Sequence, residues 1–128
     1  RALVKDPLWS TVQRQPSAVT FPNGESLRAA AARAVEAVRE IDARFDDDET
    51  WLCTSHGDII KAIVADALGT PLDLFQRIAI DPASITVIRY SGDRPTVVRV
   101  NLSAEGAAAG LVAAPKRPTL LGRLRGER

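Results

Sequence analysis

A short apolar run that leads directly into a helical pattern constrains the fold of this chain more than any other feature. Residues 50–55 read Thr-Trp-Leu-Cys-Thr-Ser, an apolar and β-branched composition that is typical of a buried strand. Residues 58–68 are apolar at helical spacing, and Gly69 ends that pattern. A strand that ends at His56-Gly57 and continues as a helix predicts an α/β fold.

A second helical pattern precedes this junction. Its apolar face steps by four and three residues through Leu27, Ala31, Ala34, Val38, Ile41 and Phe45. We expect the helix to begin at Glu25 or Ser26 and to end within residues 46–48, where three adjacent aspartates repel one another. Residues 1–24 are irregular apart from a short helical turn around Trp9, and we interpret them as a connecting segment.

The C-terminal half predicts a β-hairpin. After a short helical piece at 71–77 and a turn at Asp81-Pro82, residues 84–90 and 96–102 are two β-rich runs separated by a turn sequence, which favours antiparallel pairing. Beyond position 103 the composition shifts to Ala, Gly, Pro and Arg. We therefore expect one domain over 1–103 and a flexible tail over 104–128.

Composition narrows the class of protein. The chain has 128 residues, 45% of them hydrophobic, which suits one globular domain. Its net charge of +1 provides no field for nucleic acid or an anionic membrane, and no apolar run approaches the roughly 18 residues of a membrane span. The single cysteine, Cys53, excludes an internal disulfide. We expect a cytoplasmic protein with no membrane or nucleic-acid partner.

The loop between strand and helix is the candidate site. Ligands of α/β folds bind at the carboxyl ends of strands, and the N–H groups that open a helix favour an anion such as phosphate. His56 can donate a hydrogen bond to a phosphate oxygen, its charged form can offset developing negative charge, and Gly57 lets the backbone approach closely. The alternative, left open by these residues, is that His56 only caps the helix or bonds a neighbouring carbonyl.

Other reactive residues have simpler explanations. A Ser–His–Asp triad built on Ser55 is disfavoured because adjacent strand residues point to opposite faces. We interpret Cys53 as buried packing within the strand, since it lacks the glycine-rich loop of a thiolate phosphatase. The acidic run 46–49 has no spaced ligands and no turn glycine, so we predict no metal site.

Three segments in order, residues 21–27, 54–62 and 81–84, resemble motifs of the histidine phosphatase (phosphoglycerate mutase-like) superfamily. The similarity covers roughly Leu8 to Leu102 and is close to an actinobacterial branch described as phosphomutases or phosphatases. It implies a three-layer α/β/α sandwich, here incomplete at the N-terminus. It also implies a phosphate pocket above the carboxyl ends of the central strands.

The resemblance assigns roles residue by residue. His56 matches the second histidine of the family, which binds the transferring phosphoryl group, and Gly57 shapes the pocket. Glu25 is a candidate supporting residue, although an acidic residue at a helix start also has an ordinary explanation in the helix dipole. Asp58 is better explained by the helix dipole. The implied reaction is that of a phosphatase or phosphomutase on a small phosphorylated metabolite, through a phosphohistidine and without a cofactor.

The family's nucleophilic histidine lies in an Arg-His-Gly motif, which this chain does not contain, and His56 is its only histidine. The chain also starts at Arg1 and has no methionine. We therefore expect an enzyme whose nucleophile lies upstream, so that these 128 residues alone are inactive and one edge of the strand at 50–55 is exposed. The alternative is a non-catalytic anion-binding or interaction domain.

Overall fold

The computed structural model describes residues 6–91, 94–103 and 105–106. Its helices are α1 (Pro7–Arg14), α2 (Leu27–Asp42) and α3 (Gly57–Ala67), with a first 3₁₀ helix at Pro16–Ala18 and a second 3₁₀ helix at Leu72–Arg77; the strands are β1 (Ile85–Arg89) and β2 (Thr96–Leu102). The predicted helices and the hairpin are confirmed. The predicted tail lies almost entirely outside the described residues.

Residues 6–24, the described part of the N-terminal segment, are folded and contribute to the core, so the interpretation of this segment as a connecting segment was wrong. The Asp6 carboxylate accepts a hydrogen bond from the Leu8 backbone N–H at 2.8 Å and caps α1, and a proline at the first helical position favours the same start. Val12 and Val19 are buried. These two valines belong to the same buried cluster as residues of α2, α3 and the second 3₁₀ helix, so the segment forms part of the core.

Helix α2 begins where the sequence predicts. The Ser26 hydroxyl accepts a hydrogen bond from the Ala29 N–H at 3.1 Å, which satisfies one of the unpaired donors at the helix start. The helix ends at Asp42, a few residues before the predicted aspartate run, and Phe45 N–H closes a turn on the Asp42 carbonyl. The buried face of α2 is formed by Leu27, Ala30 and Ala31.

The core lies between the helices. Its buried cluster consists of Val12, Val19, Leu27, Ala31, Ala62, Ala65 and Phe75. Alanines on the facing sides of α2 and α3 let the two helices approach, and the fully buried ring of Phe75 fills the space below them. The residues that position α3, and with it the candidate site, therefore come from four different segments.

The strand predicted for residues 50–55 is wrong. This segment is irregular, Leu52 is 83% exposed, and Cys53 is exposed rather than packed, which overturns its interpretation as a buried residue. A strand exists only when its backbone pairs with a neighbour, and β1 and β2 pair only with each other among the described residues. The apolar composition of residues 50–55 was therefore insufficient by itself to predict a strand.

Trp51 anchors the start of this irregular segment. Its indole Nε1–H donates to the Asp42 carboxylate at 3.0 Å, and its ring stacks on Phe45 with centroids 6.2 Å apart. The segment is thus attached to the C-terminal end of α2 before it reaches α3.

Strands β1 and β2 form an antiparallel pair. The aligned pairs are Ile85–Leu102, Val87–Arg99, Ile88–Val97 and Arg89–Thr96, with a register shift after Ile85 and another after Val87. Helices together with this sheet agree with the α/β class. The three-layer sandwich stays a prediction, and none of the described helices is long and apolar enough to cross a membrane.

Candidate phosphate site

His56 is the residue immediately before α3. Its backbone is extended (φ −95°, ψ 152°), and its carbonyl accepts the first helical hydrogen bond, from the Ile60 N–H at 3.0 Å. The side chain is exposed and makes no capping hydrogen bond. Within the part of the chain that the structure describes, the imidazole forms no hydrogen bond. The structure therefore contradicts the alternative in which His56 only caps the helix or bonds a neighbouring carbonyl.

The first turn of α3 presents N–H groups next to this imidazole. Because Ile60 is the first residue to bond within the helix, the N–H groups of Gly57, Asp58 and Ile59 have no helical partner. Aligned peptide dipoles give this end of the helix a partial positive charge. His56 and the start of α3 together offer hydrogen-bond donors to an anion.

Gly57 is exposed and is not required by crowding. A Cβ added here would meet only the Ile80 carbonyl oxygen, at 3.9 Å, which is an ordinary contact distance. A methyl group at position 57 would therefore fit without displacing its neighbours. The same measurement places the loop that contains Ile80 directly beside the His56–Gly57 turn.

Asp58 is engaged by a neighbour on its own helix. Its carboxylate accepts from the Lys61 ammonium at 3.2 Å, and Lys61 also donates to the Gln76 side chain at 2.9 Å and lies 5.9 Å from the centre of the Phe75 ring. These contacts tie α3 to the second 3₁₀ helix. They agree with a structural explanation for Asp58, at a helix start where a carboxylate is favoured.

Glu25 is paired with Arg33 of α2 by two side-chain hydrogen bonds. The hydrogen bonds and the charge of the Arg33 guanidinium lower the pKa of the Glu25 carboxyl, and the same hydrogen bonds and the charge of the Glu25 carboxylate raise the pKa of Arg33. The described residues show no hydrogen bond between Glu25 and the His56–Gly57 turn. The supporting role of Glu25 stays a prediction.

Asn101 contacts the loop beside the site and was not among the residues that the sequence predicted for it. Its side-chain oxygen accepts from the Asp81 backbone N–H at 2.7 Å, and its side-chain nitrogen donates to the Asp81 carboxylate at 2.8 Å. We call this pair of hydrogen bonds the Asp81–Asn101 clasp. The signal in the sequence was an asparagine, which is depleted in strands, within a valine-rich run.

An open groove of about 660 Å³ lies along α2 and α3, away from these residues. Its lining includes Arg28, Ala31, Arg39, Ala65 and Asp66, and it includes neither His56, Gly57 nor Glu25. Arg39 and Asp66 form an ion pair at 2.7 Å. The candidate phosphate site is therefore an exposed surface and not part of this groove.

The acidic run forms a local turn. The Glu49 carboxylate accepts from the Asp46 backbone N–H at 2.8 Å, and the Glu49 N–H donates to the Asp46 carbonyl at 2.9 Å. No group of three metal-ligating side chains occurs among the described residues.

The family model for the histidine phosphatase superfamily (branch 1) matches residues 4–103. This chain belongs to the histidine phosphatase superfamily. The matched region of this histidine phosphatase chain includes His56, Gly57, Glu25 and both strands, and it ends one residue after β2. No curated protein shows a significant match. Superfamily membership indicates phosphoryl transfer on small phosphorylated substrates.

Proposed function

We propose that His56 binds the phosphoryl group of a small phosphorylated metabolite in a phosphatase or phosphomutase reaction. The observation that carries this proposal is the exposed imidazole at the start of α3, which forms no hydrogen bond with the described residues and lies beside N–H groups without helical partners. The superfamily match over 4–103 supports phosphate as the ligand. Residues 1–103 are then the C-terminal part of one three-layer domain, and 104–128 are a separate tail.

In this reaction His56 acts on charge and position. It donates a hydrogen bond to a phosphoryl oxygen, and its protonated form offsets the negative charge on the equatorial oxygens of the transition state. The N–H groups of Gly57 and Asp58 supply further donors from the positive end of α3. The ion pair with Lys61 reduces the repulsion that the Asp58 carboxylate exerts on an anion.

The phosphohistidine forms on a different histidine. A nucleophilic nitrogen attacks phosphorus, the substrate oxygen leaves with the bonding pair and takes a proton from a general acid, and water or an acceptor hydroxyl later receives the phosphoryl group. Because His56 is the only histidine and binds the group in transit, the nucleophile has to come from outside these 128 residues. The isolated chain is therefore inactive in this proposal.

The test is turnover of an aryl phosphate by the natural full-length protein, with His56→Ala as the variant. Loss of one preorganised donor to a transition-state oxyanion costs about 10²–10³-fold in kcat, and we expect a decrease of that size. Ser55→Ala, at the adjacent exposed position, is the matched control and should retain turnover. Unchanged turnover in His56→Ala would contradict the assignment of His56 as the residue that binds the phosphoryl group.

A second candidate function is a non-catalytic anion-binding domain. The exposure of His56 outside the groove favours it, because electrostatic stabilisation of a transition state is strongest where water is excluded. The coding sequence immediately upstream distinguishes the two. An apolar strand that ends in Arg-His-Gly supports the enzyme, and an in-frame start codon directly before Arg1 supports the binding domain.

A further inference from the structure

The hairpin contains an irregularity that reorients one side chain. Between the pairs Ile85–Leu102 and Val87–Arg99, a single residue of β1, Thr86, faces two residues of β2, Val100 and Asn101. The backbone of Asn101 is left-handed (φ 58°), and its N–H donates to the Thr86 hydroxyl at 3.4 Å. Asparagine tolerates this conformation better than most residues. Such bulges bend a strand and redirect a side chain.

The redirected side chain reaches the loop that follows the second 3₁₀ helix. Through the Asp81–Asn101 clasp, Asn101 uses both its acceptor and its donor on a residue 20 positions earlier in the chain. Asp81 in turn begins a tight turn, because its carbonyl accepts from the Ser84 N–H at 3.2 Å. The clasp therefore connects β2 to the start of this turn.

The turn holds a conformation that its own sequence does not favour. Ala83 is left-handed (φ 59°), an unfavourable conformation for a residue with a Cβ, and the Ser84 hydroxyl is buried without a hydrogen-bond partner among the described residues. Such a turn persists only when surrounding contacts fix it. The clasp is the side-chain contact that does so from outside the turn.

The position fixed in this way adjoins the phosphate site. The Ile80 carbonyl, one residue before the clasped Asp81, lies 3.9 Å from the place of a Cβ on Gly57. A shift of residues 80–84 would move this carbonyl into or away from the first turn of α3. Gly57 is the first residue of α3 and directly follows His56, so a displacement of the Gly57 backbone would also displace the attachment point of the His56 ring.

We infer that Asp81 and Asn101 are positioning residues for the phosphate site, in that the clasp holds the Ile80 carbonyl beside Gly57 and so limits where the His56–Gly57 backbone can lie. The inference deepens the proposed function and rests on it for the identity of the ligand. Neither residue touches the phosphoryl group.

Three variants separate the effect of the clasp from the effects of a lower stability and of an added charge. Asn101→Asp sets two carboxylates against each other and removes the donor, so it breaks the clasp. The double variant Asp81→Asn with Asn101→Asp restores it, because the introduced amide donates to the introduced carboxylate, which still accepts from the backbone N–H of position 81. Asn101→Gly removes the clasp without a charge and suits the left-handed backbone.

The sole histidine makes the measurement direct, because every imidazole proton resonance of the full 128-residue chain belongs to His56. NMR spectra are recorded without ligand and during titration with inorganic phosphate. We expect Asn101→Asp and Asn101→Gly to move the ligand-free His56 resonances. The Kd for phosphate should rise about tenfold in both, the lower end of the cost of losing an orienting residue. The double variant should return both to wild-type values.

Failure of this inference can be told apart from failure of the proposed function. Ligand-free His56 resonances that stay at their wild-type positions in Asn101→Asp and Asn101→Gly overturn the inference, as does a double variant that fails to restore them. If the wild-type chain shows no response to phosphate, the donors of the His56–Gly57 turn do not bind phosphate by themselves, which counts against the proposed function, and the ligand-free spectra still decide whether the clasp positions His56.

Discussion

At the scale of single residues, short-range polar contacts hold the N-terminal segment on the rest of the molecule. The Asp73 carboxylate accepts from the Ser17 backbone N–H at 2.8 Å and from the Ser17 hydroxyl at 2.9 Å. These two bonds, followed by the charge of Arg28, lower the pKa of Asp73 below its usual value of 3.8. The first 3₁₀ helix is thereby tied to the second.

This contact predicts a specific acid sensitivity. Since folding lowers the pKa of Asp73, its contribution to stability is present above pH 3.8 and is lost as the pH falls through the lower folded-state value. Asp73→Asn should destabilise the chain at pH 7, and the difference from wild type should shrink toward pH 3. Urea unfolding at both pH values measures it, with the exposed Asp47→Asn as control. An equal difference at both values would contradict the prediction.

At the scale of elements, the part of the structure that follows from local pattern was predictable. The period of apolar residues in α2 and α3 and the cap of α2 depend on neighbours within a few positions, and the hairpin depends on two adjacent runs. The strand at 50–55 was not predictable in this way, because pairing depends on residues distant in sequence. The Asp81–Asn101 clasp was missed for the same reason, since a bulge 20 residues away creates it.

The start of α2 provides a test of such local control. Ser26→Ala removes the acceptor for the Ala29 N–H and should lower the free energy of unfolding by about 1 kcal/mol, the usual cost of losing an N-cap. Ser26→Asp keeps an acceptor and adds a charge that suits the helix dipole, so it should retain stability. Chemical denaturation measures both. Equal stabilities for the alanine and aspartate variants would show that this cap contributes nothing.

At the scale of the whole molecule, one helical core determines where the candidate site lies. Phe75 is fully buried at the centre of that core and contacts the region of α3 that carries Lys61. The α/β class and the location of His56 directly before a helix followed from the sequence, whereas the strand expected before His56 is absent from the described residues. The exposure of His56 did not follow from the sequence, because it depends on which segments cover the His56–Gly57 turn.

Removal of the Phe75 ring should therefore lower the stability of the whole fold. Phe75→Ala deletes a fully buried aromatic side chain, for which the usual cost is about 3–5 kcal/mol, a large share of the roughly 5–15 kcal/mol that stabilises a typical domain. Phe21→Ala, at a position that is 40% exposed, is the matched control and should cost much less. Thermal unfolding followed by circular dichroism compares them. Similar melting temperatures would contradict the assigned core.

The segment between Trp51 and α3 has a consequence for solvent exchange. It is fixed at both ends, by the indole of Trp51 on Asp42 and by the first turn of α3, yet no backbone N–H from Leu52 to Ser55 donates to another described residue. Deuterium from the solvent therefore reaches these four amides early, while those of the buried middle of α3 exchange only on larger opening. Slow exchange at these four amides would indicate that another strand has paired with this segment.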